Sequence, residues 1–455
     1  MQSNPRRHRS VRSLCFLLLL AILPTGAGLV AQQAEDGAGD EPRQEVNLVL
    51  SPNQRPLLRL AFPTPTGLGQ LGAARAAGTT LEQTLRRDLE VSGHFALQGP
   101  SELGVLALTG DRSRDHELYR SLGNEMLLDV TLKEEPQKII LEGRVIDLKS
   151  GQQILGKLYR GEHRVARRIA HSFADEIVRY FTGRPGIAMT SIAFYSDRSG
   201  EKEIYLMDYD GSNQRPVTGH RTISMAPTWS PDGQGLTYVS FLRGDPGLFY
   251  VDLRTGNKRD LLVDGHPNIS PSFSPDGSRL AFARSLEGNT EIFTCRRDGS
   301  DLQRLTHARG IDTNPAWSPN GREIAFTSNR SGSPQVYVMD AEGANLRRIS
   351  FSGQYNEGAS WSPDGTRIAY ASRQRGGRFQ IAITELVTLE TTLLTNGAAS
   401  NEAPAFSPDG RFIAYTSNRG HGPQIEVVDI KGGTPRRLTS EGRNFAPNWS
   451  GFSAR

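Results

Sequence analysis

Apolar positions follow two rhythms along this chain. In the first half they recur at helical spacing, and in the second half they fall in short strands between turns. Leu81, Leu85 and Leu89 stand four apart behind Thr80, which predicts an amphipathic helix capped by Thr80. Val165, Ile169, Phe173 and Ile177 predict a second helix, ended by Gly183 ahead of Pro185. A weaker helical pattern covers residues 115–122. Strand patterns occupy residues 126–132, 138–148 and 153–159, and residues 45–62 predict two more. Residues 45–183 are therefore expected to form a small α/β domain.

From residue 184 onward the pattern is a repeat. Trp229, Phe273, Trp317, Trp361 and Phe406 each open an aromatic-Ser-Pro-Asp/Asn-Gly string, and Trp449-Ser450 continues the series. The aromatic positions lie 44, 44, 44, 45 and 43 residues apart, a period that suits one four-stranded propeller blade. Apolar strands follow seven residues after most of them, as in Leu280-Ala281-Phe282 and Ile324-Ala325-Phe326. Pro presets φ, Asp or Asn bonds its own backbone, and Gly supplies the left-handed position, so turn chemistry explains the string without invoking a nucleotide or a metal. The aromatic before it is expected to pack between blades. Ile192-Ala193-Phe194 is a second strand with no first strand before it, whereas Asn448-Trp449-Ser450 is a first strand with nothing after it. The two fragments complete each other, giving an all-β six-bladed propeller over residues 184–455 closed by the C-terminal strand.

The N-terminus changes the charge picture. Arg6, Arg7, Arg9 and Arg12 precede a short apolar run and small residues, the pattern of a secretory signal peptide over residues 1–31, with cleavage after Ala31. Residues 32–44 form a flexible lead-in. The full chain carries 53 Lys and Arg against 49 Asp and Glu, and losing the four signal arginines leaves the mature chain neutral. No basic patch remains to argue for nucleic acid, and no transmembrane span is expected in the mature chain. Cys15 leaves with the signal, so Cys295 stands alone and is expected to be a buried, inert thiol.

A signal peptide, a small α/β domain and aromatic-Ser-Pro-Asp-Gly blades resemble the TolB family of Tol-Pal envelope systems. Further matches are Ser92-Gly93-His94-Phe95, Phe181-Thr182-Gly183 and the stretch from Met207 through Asp208-Tyr209-Asp210-Gly211 to Gln214. The resemblance implies a periplasmic protein that binds the lipoprotein Pal through its propeller and TolA through an N-terminal strand. It also implies support of outer-membrane integrity and of envelope constriction in cell division, with bacteriocins as further possible partners. It places Pal on His266, Asn268, Ser270, Thr313 and Asn314, in the loops at residues 265–271 and 311–315. The family's His is displaced by one residue here, with Pro267 in its place. It places TolA on Glu45, Val46, Asn47, Leu48, Val49, Leu50 and Ser51, whose alternating Val46, Leu48 and Leu50 suit strand addition. The same residues also read as an ordinary first strand of the α/β domain.

Catalysis is not expected. Propeller-bearing hydrolases need a Gly-x-Ser-x-Gly elbow, which is absent, and His116-Glu117 lacks the second His of a zinc helix. No cofactor and no metal are expected. The alternative reading is an exported propeller that binds a small ligand or glycan in its channel, for which no ring of acidic residues at one repeat position argues.

Overall fold

The computed structural model describes residues 57–452, apart from residue 421. The signal peptide, the lead-in and the candidate strand Glu45 to Ser51 lie outside the described residues.

An α/β layer comes first. Its elements are β1 (Leu58–Ala61), α1 (Arg75–Ser92), β2 (Phe95–Gln98), α2 (Pro100–Leu103), α3 (Arg112–Ser121), β3 (Met126–Glu135), β4 (Lys138–Asp147), β5 (Gln153–Glu162) and α4 (Ala166–Thr182). The strands form one sheet in the order β2-β1-β3-β4-β5. β1 runs parallel to both neighbours, and the last two pairs are antiparallel hairpins. The helical patterns hold: Leu81, Leu85 and Leu89 on α1 and Ile169, Phe173 and Ile177 on α4 are buried in one core with Leu128, Val130 and Leu141 of the sheet. Gly143 lets Phe173 lie against β4, since a Cβ there would come within 2.2 Å of its ring.

The start of α1 differs from the sequence expectation. Thr80 lies inside the helix and donates to the Ala76 carbonyl. The cap is tertiary: the Glu134 carboxylate on β3 accepts from the Gly72 and Ala74 amides at 2.7 and 3.2 Å. A carboxylate at a helix N-terminus satisfies free amides and meets the positive end of the dipole. Being some sixty residues away, it leaves no local sequence signal.

Six four-stranded sheets follow as blades, after a small α/β region. Blade 1 joins the strand Asn444–Trp449 to Ser191–Ser196, with Trp449 opposite Ile192 and Asn444 opposite Ser196. The aromatics before the turns do bridge blades. Trp229 donates its indole N–H to the Asn448 carbonyl at 3.1 Å, and Trp361 donates to Ala316 at 3.0 Å. In the first turn Gly233 has φ 68° and the Asp232 carboxylate accepts from the Gln234 amide at 2.9 Å. The serine has a role that turn statistics do not show: Ser230 Oγ accepts from the Gly235 amide at 3.0 Å, and the other blades repeat this from Ser274 to Ser407. Cys295 is buried in the core of blades 2 and 3, and burial pushes its thiol up to about 12.

Strand direction fixes the two faces of the ring. The aromatic-Ser-Pro turns and the turns between third and fourth strands share one face; the remaining loops share the other. The α/β layer sits on the turn face of blades 1 and 6. Arg411, just after the blade 6 turn, donates to the Val91 carbonyl at 2.8 Å and to the Ser92 carbonyl. Asp88 of α1 is buried and accepts from Tyr209 of blade 1 at 2.6 Å, and it pairs with His171 Nδ1 of α4 at 2.7 Å. Arg167 binds the Asp210 carboxylate at 2.7 Å. Asp175 accepts from the Ala188 and Met189 amides at 2.9 and 3.0 Å, which pins the connection into blade 1. Burial pushes that carboxyl up to about 6 against the pull of those two amides.

Candidate partner-binding face

The face opposite the α/β layer is the mouth of the channel, and it is built from the innermost strand of each blade. Each such strand carries one left-handed residue three positions before its aromatic: Ala226, Ser270, Asn314, Gly358, Ala403 and Ala446, with φ between 46° and 68°. The pairing register shifts across every one of them. Five of the six are followed by Pro, which gives no N–H to a ladder. This bulge re-aims the backbone at the mouth and repeats sixfold.

All the candidate residues but His266 therefore lie in inner strands, not in loops as the sequence suggested. Ser270 belongs to Asn268–Phe273, and Thr313 and Asn314 belong to Asp312–Trp317. The left-handed residue and its Pro read as a loop because a bulge and a turn use the same residue types. The fold brings three of them together. Ser270 Oγ donates to Asn314 Oδ1 across the blade boundary at 3.2 Å, and Thr313 lies beside Asn314, half-buried. His266 is half-buried in the loop above. Asn268 is enclosed: its amide donates to the His266 carbonyl at 2.8 Å and accepts from Arg284 at 3.3 Å. It holds the His266 loop and presents nothing outward.

Asn268 belongs to a device the sequence reading passed over. Ser224, Asn268, Asp312, Asn356, Asn401 and Asn444 are equivalent positions, all with 0% exposure. In three blades this amide reaches back to a Gln on the third strand of the preceding blade: Asn356 to Gln335, Asn401 to Gln380 and Asn444 to Gln424, at 2.7 to 2.9 Å. The same glutamines accept from Ser350, Thr395 and Thr439. Buried amides satisfied across a boundary fix the spacing of neighbouring blades. The signal was a short polar residue two positions before each bulge, Asn in four of the six, visible once the repeats are aligned.

One residue further on, the equivalent positions are Met225, Ile269, Thr313, Glu357, Glu402 and Phe445. Two neighbours of the six are thus acidic. Burial raises the Glu357 carboxyl, opposed by a Tyr355 hydroxyl that donates at 3.2 Å, while the Glu402 charge raises it further. Burial raises Glu402 as well. Among the described residues no group of three or more His, Cys, Asp or Glu is arranged to hold a metal, and no helix is long and apolar enough to cross a membrane.

The comparisons with known proteins agree with this architecture. Residues 178–453 match the family described as the TolB beta propeller domain. The chain is 35% identical over 186 residues to a "Protein TolB homolog" of Chlorobium chlorochromatii, covering 41% of each chain. It is 39% identical over 177 residues to the "Tol-Pal system protein TolB" of Geobacter metallireducens, covering 39% of this chain and 41% of that one. The chain spans about two fifths of the length of these curated relatives. The crystal structure of TolB from Acinetobacter baumannii superposes with a TM-score of 0.73 at 25% identity, over 87% of this chain and 97% of that one. With the family match running through all six blades and this structural likeness extending over the α/β layer, the chain belongs to the TolB beta-propeller family.

Proposed function

We propose that this protein is a non-catalytic, periplasmic partner-binding component of a Tol-Pal system, which links Pal at the propeller mouth to TolA at residues 45–51 and so supports outer-membrane integrity and envelope constriction in cell division. The domain division is residues 45–183 and 184–455. The observation that carries this reading is the convergence of Ser270, Thr313 and Asn314 on the open mouth, opposite the α/β layer. A rigid ring with a bulged rim presents side chains and backbone to a protein at little ordering cost. The names of the relatives support the system to which it is assigned.

The test is titration of the mature chain with purified Pal and, separately, with TolA. Ser270→Arg with Thr313→Arg is expected to weaken Pal at least ~30-fold, since a bulky charge at a packed interface centre costs about 2 kcal/mol or more. Because both sites lie in inner strands, about 1 kcal/mol of stability is expected to go with the Ser270–Asn314 bond. Native Pal affinity in a folded double variant overturns the placement.

Deleting residues 32–51 is expected to abolish TolA binding and to leave Pal binding intact. Strand addition draws its affinity from backbone pairing that the deletion removes outright. Capture of TolA with native affinity by the deleted chain makes this segment a structural strand only.

A further inference from the structure

Several arginines of the mouth face are paired with carboxylates. Arg243 pairs with Asp260 at 3.1 Å, Arg284 with Asp264 at 2.8 Å, Arg330 with Asp312 at 2.7 Å and Arg443 with Asp197. Arg330 also lies over the Phe326 and Tyr337 rings, as Arg198 does over Phe194 and Tyr205 in blade 1. These cations are committed to the fold.

Blade 5 departs from this. Its three mouth-face segments, residues 351–354, 373–379 and 393–400, contain Arg373, Arg375 and Arg378 and no Asp or Glu. They surround an open cleft of 630 Å³ together with Gln354, Gln374 and Asn396. Arg375 and Arg378 are exposed and form no ion pair with another described residue, and Arg373 reaches only the Gly377 carbonyl at 3.3 Å. Three like charges around one cleft repel each other, and low-dielectric walls focus their field outward. Phe351, in the first of these segments, is 59% exposed with the Arg348 guanidinium 5.2 Å from its ring centre. Aromatic side chains and arginine are the residues enriched at the centre of protein interfaces.

We propose that the blade 5 cleft is an electrostatic docking site for an acidic segment of a partner protein, with Phe351 as an apolar anchor beside it. This rests on the reading of the mouth as partner-binding, and names the chemistry of the partner surface that meets it. Opposite charge at a rim acts mainly on the association rate and its salt dependence.

A labelled decaglutamate peptide tests the cleft without reference to Pal. The full mature chain is expected to bind it at low salt, and roughly tenfold more weakly when the Debye length is shortened to about 8 Å. Arg375→Glu with Arg378→Glu is expected to lose at least about tenfold in affinity. Arg254→Glu with Arg322→Glu, the same charge change on exposed arginines of the turn face, is expected to stay within about twofold. Equal affinity of wild type and the blade 5 variant, or equal loss in both variants, overturns the proposal. Stopped-flow association with Pal is the second arm: a slower rate with a flatter salt dependence in the blade 5 variant supports the proposal, and an unchanged rate overturns it. If wild type does not bind Pal at all, the Pal reading falls, and the peptide comparison still decides the cleft.

Discussion

Removing residues 444–455 is expected to unfold the propeller. The strand Asn444–Trp449 supplies the whole inner edge of blade 1, and without it Ser191–Ser196 becomes an open edge beside the channel. The loss is more than a ladder. Trp449 is 7% exposed and donates its indole N–H to Thr190 Oγ at 2.9 Å. Asn444 ties blade 6 to blade 1 through Gln424, and it also accepts from Arg198 at 2.7 Å. Ser450 closes the strand with two further bonds to Ser191. Burial of one Trp alone is worth about 3–5 kcal/mol on truncation to Ala, against a total of about 5–15 kcal/mol for a typical domain. The truncated chain is thus expected to be insoluble or to lack a cooperative transition. Trp449→Ala is the milder form, expected to fold and to lose about 3–5 kcal/mol in urea unfolding. A change under about 0.5 kcal/mol in Trp449→Ala would mean that the ring is not held here.

Closure was legible in the sequence because it depends on a count. Strand fragments at either end of a periodic array either complete one blade or do not, and Ile192 and Trp449 are found paired as the count required. The Ser-Pro-Asp-Gly turns were legible because each residue acts within five positions of itself. The helices of the α/β layer were legible from their apolar stripes. Part of what escaped has partners distant in sequence. The cap of α1 is Glu134, and Thr80 was the nearest residue with the right chemistry but the wrong place. At the mouth the sequence misread the form of the candidate segments. Ser270 and Asn314 sit at bulges inside strands, where Pro and a left-handed residue imitate a loop. It also drew in Asn268, a polar residue in a variable segment, although its amide is spent inside the blade. Polar identity alone does not separate a residue that meets a partner from one that fastens the scaffold; burial does.

Asp88→Ala is expected to loosen the α/β layer from the propeller. Asp88 stands where three elements meet: its own helix α1, His171 on α4 and Tyr209 from the blade 1 turn. All three side chains are buried, and Tyr209 is among the largest fully enclosed residues of the protein. Burial, then the Asp88 charge, raises the Tyr209 hydroxyl well above its ordinary range, so it acts as a donor at any ordinary pH. Removing the acceptor leaves two buried polar groups without a partner, each at a cost of about 1–3 kcal/mol. Tyr209→Phe removes only the donor and is expected to cost about 1.5–3 kcal/mol, the value of a bond to a charged acceptor. The two losses share one bond, so the double variant is expected to fall short of their sum. Other contacts also cross the junction: Arg167 and Arg87 to Asp210, Arg411 to the α1 carbonyls, Asp175 to the Ala188 and Met189 amides, and an apolar core shared by the two layers. Urea unfolding of Asp88→Ala, followed by helical circular dichroism and by tryptophan fluorescence, separates the layers, because all four Trp residues are in the propeller. The helical signal is expected to be lost at lower urea than the fluorescence signal, with wild type showing coincident curves. Coincident curves at the wild-type midpoint in Asp88→Ala would show that this triad does not join the two layers.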